Sequence, residues 1–397
     1  MMASAAIGGS HIVSSTQAGA LFGWQLAGLI LLTNLLKYPF FRFGPQYTVE
    51  SGESLVEGYA RIGRGYLWVF FLLCAVSAVI STAGVGLLSA VILGSMLPAG
   101  FALSGPVLAS AMMLVIWVLL VAGHYKALDG VTKLIVVGLT VATVAATFIA
   151  AGKGSNMQSG FVQPSPWNLA TLPFLVSLVG WMPAPIEISA VNSMWIRAKQ
   201  QVDPANYADT IFDFNVGYFT SAVLALFFVA MGALVQYGNG EKLEPASAAY
   251  IAQLVQMYGS TIGEWSKPII SFIAFMCMFG TTITVVDGYS RASGEALRLL
   301  RGEPELKSRD LSLWITGVSI AGLGIILLMQ NQLAGMLRFA MTSAFLAAPV
   351  FAWLNLRLVS GEREGLSAPL KTLAYAGLVF LVAFTGLFLA NLAGLFG

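Results

Sequence analysis

Residues 8–11 read Gly-Gly-Ser-His and interrupt an otherwise apolar stretch. Among residues other than proline, glycine is the weakest helix former, so a helix reaching this point stops and restarts. The freed backbone carbonyls and amides can then bind a small ion, with the Ser10 hydroxyl and the His11 imidazole beside them. A second interruption lies in SLVGWMPAPIEISA, residues 177–190. Pro183 and Pro185 have no backbone N–H and clash with the preceding turn, and Gly180 weakens the helix just before them. The helix is expected to break over 181–184, with Pro185 at the first position of the new half. The candidate binding set is therefore Gly8, Gly9, Ser10 and His11 from the first break, and Val179, Gly180, Met182, Pro183 and Glu187 from the second. The sequence holds no Walker loop, no paired CxxC and no HExxH. Nothing points to an enzyme, an ATP-driven pump or a resident cofactor.

The elements that carry these breaks follow from composition. Of 397 residues, 57% are hydrophobic and 10% charged, with a mean hydropathy of +0.81. A soluble domain carries about 25% charged residues, so this chain reads as an integral membrane protein. Helices of about 20 apolar residues fit a bilayer core. Eleven spans are expected, at 1–23, 24–45, 66–96, 103–122, 128–151, 168–198, 211–236, 265–290, 311–330, 333–356 and 369–396. The alternating pattern of a membrane barrel is absent, so the expected class is all-α. With the N-terminus in the cytoplasm, fifteen Lys and Arg fall in inside loops against four outside (Lys153, Lys242, Lys267 and Arg338), with Lys37 left in the second span. That bias supports an inside N-terminus, an odd span count and an outside C-terminus, in a bacterial-type inner membrane. The basic residues form no single patch, which excludes nucleic acid as a partner. Cys74 and Cys277 lie in separate apolar spans and read as buried free thiols. Only seven residues precede Gly8. Either the inner half-helix is short or the natural start lies upstream, and the second is expected.

One broken helix near the start of each half of a chain marks an inverted-repeat transporter, with the breaks facing each other near the midplane. The chain is expected to form a single transporter domain over 1–397, with a first repeat at 1–151, a second at 168–356 and an extra helix at 369–396. His11 has a substrate-contact reading and a structural one, satisfied by backbone. Glu187 could complete a helix N-terminus or carry a cation or proton. Lys37 either snorkels toward the inner interface or partners a buried carboxylate, and snorkelling is the preferred expectation. Thr281, Thr282 and Thr284 could help to hold a sodium ion, or could bond their own helix. Asp287 is expected to pair with Arg291 one turn on, and GVGLLS (84–89) reads as small-residue packing.

From Gly8 to about Tyr59, the break, TQAGALFGW, an apolar helix and SGESLVEGY resemble the first two helices of the Nramp divalent-metal transporters. WMPAPIEISA is similar to that family's Met-Pro-His motif in helix six, and GTTITVVDG (280–288) to its Ser-Thr-Ile-Thr stretch in helix eight. The resemblance implies a LeuT-type 5+5 inverted repeat with broken helices one and six, working by alternating access. It departs from the family at the site. The Asp-Pro-Gly-Asn metal motif falls on Gly8, Gly9, Ser10 and His11, and the histidine after the helix-six proline falls on Ala184. The acidic pair linked to proton movement falls on Thr82 and Val85, while the methionine ligand is kept as Met182.

Two substrates stay open. The family implies a divalent metal ion of the manganese, iron or magnesium class, which His11 and Met182 would help to ligate. The two half-helix N-termini and free amides instead suit a small anion such as bicarbonate, coupled to sodium or a proton. A non-transporting receptor or scaffold, and a channel, are the readings from other classes.

Overall fold

Inside a bilayer every backbone polar group needs a partner within the protein, and all the regular elements described are helical. The computed structural model describes residues 7–98, 103–123, 126–329, 331–361 and 366–395, with backbone alone for 126–133. A π-helical turn, Ser10–Ser15, leads into α1, Thr16–Phe22. Then follow α2 (Ala27–Ser51), α3 (Leu55–Ile62), α4 (Arg64–Met96), α5 (Gly105–Val121) and α6 (Lys126–Lys153). The second half runs α7 (Leu172–Trp181), α8 (Ile188–Gln200), α9 (Tyr207–Met231) with a π-helical end at Gly232–Gln236, and α10 (Ala248–Ile262). It closes with α11 (Ser266–Arg301), α12 (Ser308–Leu328), α13 (Leu333–Val359) and α14 (Ala368–Leu392). Seven of the described helices are long and apolar enough to cross a membrane. The short α3 and α10 lie between the longer ones.

The break in helix six is longer than expected and its restart is displaced. After Trp181 the chain is extended at Met182, whose peptide bond to Pro183 is cis, and α8 begins only at Ile188. A tight turn joins them: the amides of Ile188, Ser189 and Ala190 donate three residues back, to Pro185, Ile186 and Glu187. Pro185 thus opens that turn, where it needs no N–H, rather than the helix itself. The inner half expected before Gly8 lies outside the described residues.

Four sets of contacts position the breaks. The largest helix–helix interface joins α4 to α11, and α12 packs on α4 as well. Gly86 allows the approach of α12, since a Cβ there would stand 3.0 Å from Ile326, and Gly84 that of α13, where a Cβ would stand 3.1 Å from Ala340. The π-turn and α1 lie against the end of α9, where Gly19 and Gly232 bring backbone onto backbone. At the other end, α3 is held by a reciprocal cap: Ser54 Oγ accepts from the Glu57 amide, and Glu57 returns the bond to the Ser54 amide. Glu57 also pairs with Arg197 of α8 at 2.9 Å. Tyr59 donates to Asn355 of α13, whose amide in turn reaches the Phe40 carbonyl and Ser189.

Candidate functional site

The two breaks meet. Ser10 Oγ lies 3.4 Å from the carbonyl oxygen of Pro183, and between the segments sits a cavity of about 40 Å³. Gly8, Gly9 and Ser10 line one side, and Trp181, Pro183, Ala184 and Pro185 the other. The glycines keep it open. A Cβ on Gly8 would stand 3.3 Å from Thr281, and one on Gly9 would stand 3.2 Å from the Trp181 ring. The remaining wall comes from α4 (Ser81, Val85), α8 (Ile188) and α11 (Thr281, Val285, Tyr289). Ser81 and Val85, and likewise Thr281, Val285 and Tyr289, recur at four-residue steps, so each set shows one helix face to the cavity. Their polar members sit in apolar runs, and that spacing was the available signal for Ser81 and Tyr289.

Of the nine candidates, Gly8, Gly9, Ser10 and Pro183 line the cavity, and the other five face elsewhere. His11 is fully buried and turned toward α9. Its Nε2 lies 3.0 Å from the Ser221 carbonyl, its Nδ1 lies 3.0 Å from Ser10 Oγ, and its ring meets Phe228 edge-on. A carbonyl only accepts, so Nε2 carries the proton and Nδ1 accepts from Ser10 when the ring is neutral. Met182 packs in an apolar cluster with Ala18, Phe22, Leu26, Leu178 and Val229. To ligate an ion in the cavity its side chain must change rotamer.

Val179 and Gly180 present their carbonyls to Lys37. The Nζ of this lysine donates to them at 2.7 Å and 3.1 Å, and the residue is 0% exposed. Lys37 therefore does not snorkel: α2 runs on to Ser51, which leaves the lysine fourteen residues from the helix end, about 21 Å at 1.5 Å per residue. Its side chain cannot span that distance. Glu187 is the N-cap residue of α8 but makes no side-chain capping bond. Its Oε1 instead accepts from Tyr289 at 3.1 Å, and Oε2 has no partner among the described residues.

On α11, Thr281 and Thr282 donate to the carbonyls of Cys277 and Met278 one turn back, and Thr282 also meets Ser89. Thr284 is half-buried. Asp287 holds Arg291 through both carboxylate oxygens, at 2.9 and 2.8 Å. Cys74 and Cys277 are free and buried. Among the described residues no group of three His, Cys, Asp or Glu side chains is arranged to hold a metal ion. The buried Trp181 indole N–H has no acceptor among the described residues. A second cavity of about 370 Å³ lies toward α10, bounded by Ser14, Gln17, Ser177, Glu244, Arg338 and Met341 among others. Ser14 donates to the Met341 sulfur at 3.3 Å across its wall.

This arrangement has known counterparts. Residues 1–393 match the model of the Nramp family, natural resistance-associated macrophage protein-like. An uncharacterized protein of Pasteurella multocida (strain Pm70), PM0681, is 52% identical over 397 residues, covering 99% of this chain and 91% of its own. In fold, the chain is similar to the Eremococcus coleocola manganese transporter, solved in complex with an aromatic bis-isothiourea substituted compound, with a TM-score of 0.71 at 14% identity. That match covers 100% of this chain and 86% of the other. It is also similar to MhsT in complex with L-phenylalanine, with a TM-score of 0.64 at 10% identity over 98% of this chain and 96% of that one. A multi-pass membrane protein with the LeuT-type arrangement of two broken helices, the chain belongs to the Nramp family.

Proposed function

We propose that the protein is a secondary-active transporter that carries a small inorganic ion, bound between its two helix breaks, by alternating access. The observation that carries this reading is the cavity of about 40 Å³ at the meeting point of the breaks. A water-sized occupant needs roughly 10–15 Å³ of such space, so the cavity takes a single ion with little hydration and no organic solute. In this reading the chain spans the cell membrane eleven times with its N-terminus in the cytoplasm. The repeats run over 1–151 and 168–356, and the larger cavity toward α10 serves as the outer approach.

Family membership makes a divalent metal ion the first substrate. Its oxygen ligands would be backbone carbonyls around Gly8 and Pro183 with the Ser10 and Thr281 hydroxyls, and a rotated Met182 would supply the soft ligand. The start of the π-turn at Gly9, which no side chain caps, favours a second reading, a small anion held by main-chain amides. Among the described residues no carboxylate lines the cavity to repel an anion.

Isothermal titration of the purified protein with manganese chloride, magnesium chloride and sodium bicarbonate tests both readings. Saturable manganese heat supports the metal ion, bicarbonate heat without metal heat supports the anion, and heat from none of them refutes a small-ion transporter.

A further inference from the structure

The Lys37 ammonium is completely buried among helices that cross the membrane, where a charge persists only with partners. It donates to main-chain oxygens, the carbonyls of Val179 and Gly180, at 2.7 and 3.1 Å, in the last turn of α7. These carbonyls lie at the negative end of the helix dipole, and that of Val179 also accepts from the Met182 amide at 3.4 Å. In transporters built from broken helices, this kind of carbonyl pair coordinates the free coupling cation.

The surroundings hold more acceptors than the lysine uses. Thr33 and Asn34 precede Lys37 by four and three residues on the same face of α2. Both are buried, and Thr33 Oγ1 and Asn34 Oδ1 have no partner among the described residues.

We propose that Lys37 is a tethered resident cation: its ammonium fills a carbonyl site at the end of α7 that would otherwise take a small monovalent inorganic cation such as sodium. The protein then holds this break together without a free cation, whichever ion the neighbouring cavity carries. Removing the ammonium while keeping side-chain bulk turns the carbonyl pair and its spare acceptors into a sodium site.

The test is thermal unfolding of the purified full-length protein in sodium chloride against choline chloride at equal ionic strength, for the wild type, Lys37→Gln and Lys37→Arg. The wild type and Lys37→Arg are expected to unfold at the same temperature in both salts. Lys37→Gln is expected to unfold about 2 °C higher in sodium, at about ten times the dissociation constant. A folded Lys37→Gln protein indifferent to sodium overturns the proposal. So does a wild type stabilised by sodium, a result that remains decisive if Lys37→Gln does not fold.

Discussion

His11 donates its Nε2–H to the carbonyl of Ser221, 3.0 Å away on α9, and so turns its ring away from the cavity its own segment lines. The imidazole fastens the π-turn to α9, and Ser10, bonded to its other nitrogen, faces the second break. The imidazole thus has hydrogen-bond partners at both ring nitrogens, on its own segment and on α9. His11→Ala is expected to cost about 1–3 kcal/mol in unfolding free energy, because two buried partners lose their bonds. Ion affinity should fall by less than about tenfold, or 1.4 kcal/mol. Denaturation and titration of the same preparation check the pair of effects, and a larger loss in affinity than in stability would contradict the assignment.

Gly232 and Gly19 are required for the close approach of α1 to the end of α9. A Cβ on Gly232 would stand 2.2 Å from the Thr16 carbonyl oxygen, and one on Gly19 would stand 2.0 Å from that of Val229. Backbone on both sides leaves no flexible group to give way. Gly232→Ala should destabilise the protein by about 1–3 kcal/mol, the usual cost of forced overpacking. An unchanged unfolding temperature would show that these segments are further apart.

Glu57 caps α3 and holds Arg197 of α8, so it bolts the SGESLVEGY segment to the half-helix that follows the second break. The bond from the Leu55 amide to Ser193 closes the same seam. Glu57→Gln keeps the shape and removes the charge. Loss of one partly exposed ion pair is worth about 1 kcal/mol or less, too little to unfold the protein but enough to favour opening at this end. A cysteine at Ser193 should react faster with a membrane-impermeant thiol reagent in the Glu57→Gln background. Equal rates would show that the pair does not hold the seam.

How much of this was legible in the sequence depends on the range of each effect. The breaks were visible because glycine and proline act on their own backbone: Gly8–Gly9 and Pro183–Pro185 announce the interruption without help from any neighbour. Asp287 and Arg291 were legible for the same reason, being one turn apart on one helix. Lys37 was not. With the second span expected to stop at 45, its position lay close to a helix end, whereas α2 continues to Ser51. Its partners lie 142 and 143 residues away. The outward turn of His11 and the packing of Met182 into an apolar cluster are likewise tertiary facts, set by α9 and α2 rather than by the local motif. Ser81 and Tyr289 enter the cavity wall only because α4 and α11 form the largest interface in the fold.

The central claim, that the transported ion rests between the breaks, is tested most directly at Gly9. A valine there places its first carbon 3.2 Å from the Trp181 ring and 3.5 Å from Leu88, adding bulk at the cavity wall that Gly9 forms. The measurement is uptake of manganese and of bicarbonate into proteoliposomes by the wild type and by Gly9→Val, with unfolding temperatures recorded for both. The wild type should accumulate one of the two ions, and Gly9→Val should lose at least about tenfold in uptake, 1.4 kcal/mol or more, while remaining folded. Undiminished uptake by a folded Gly9→Val protein would place the ion elsewhere and contradict the account.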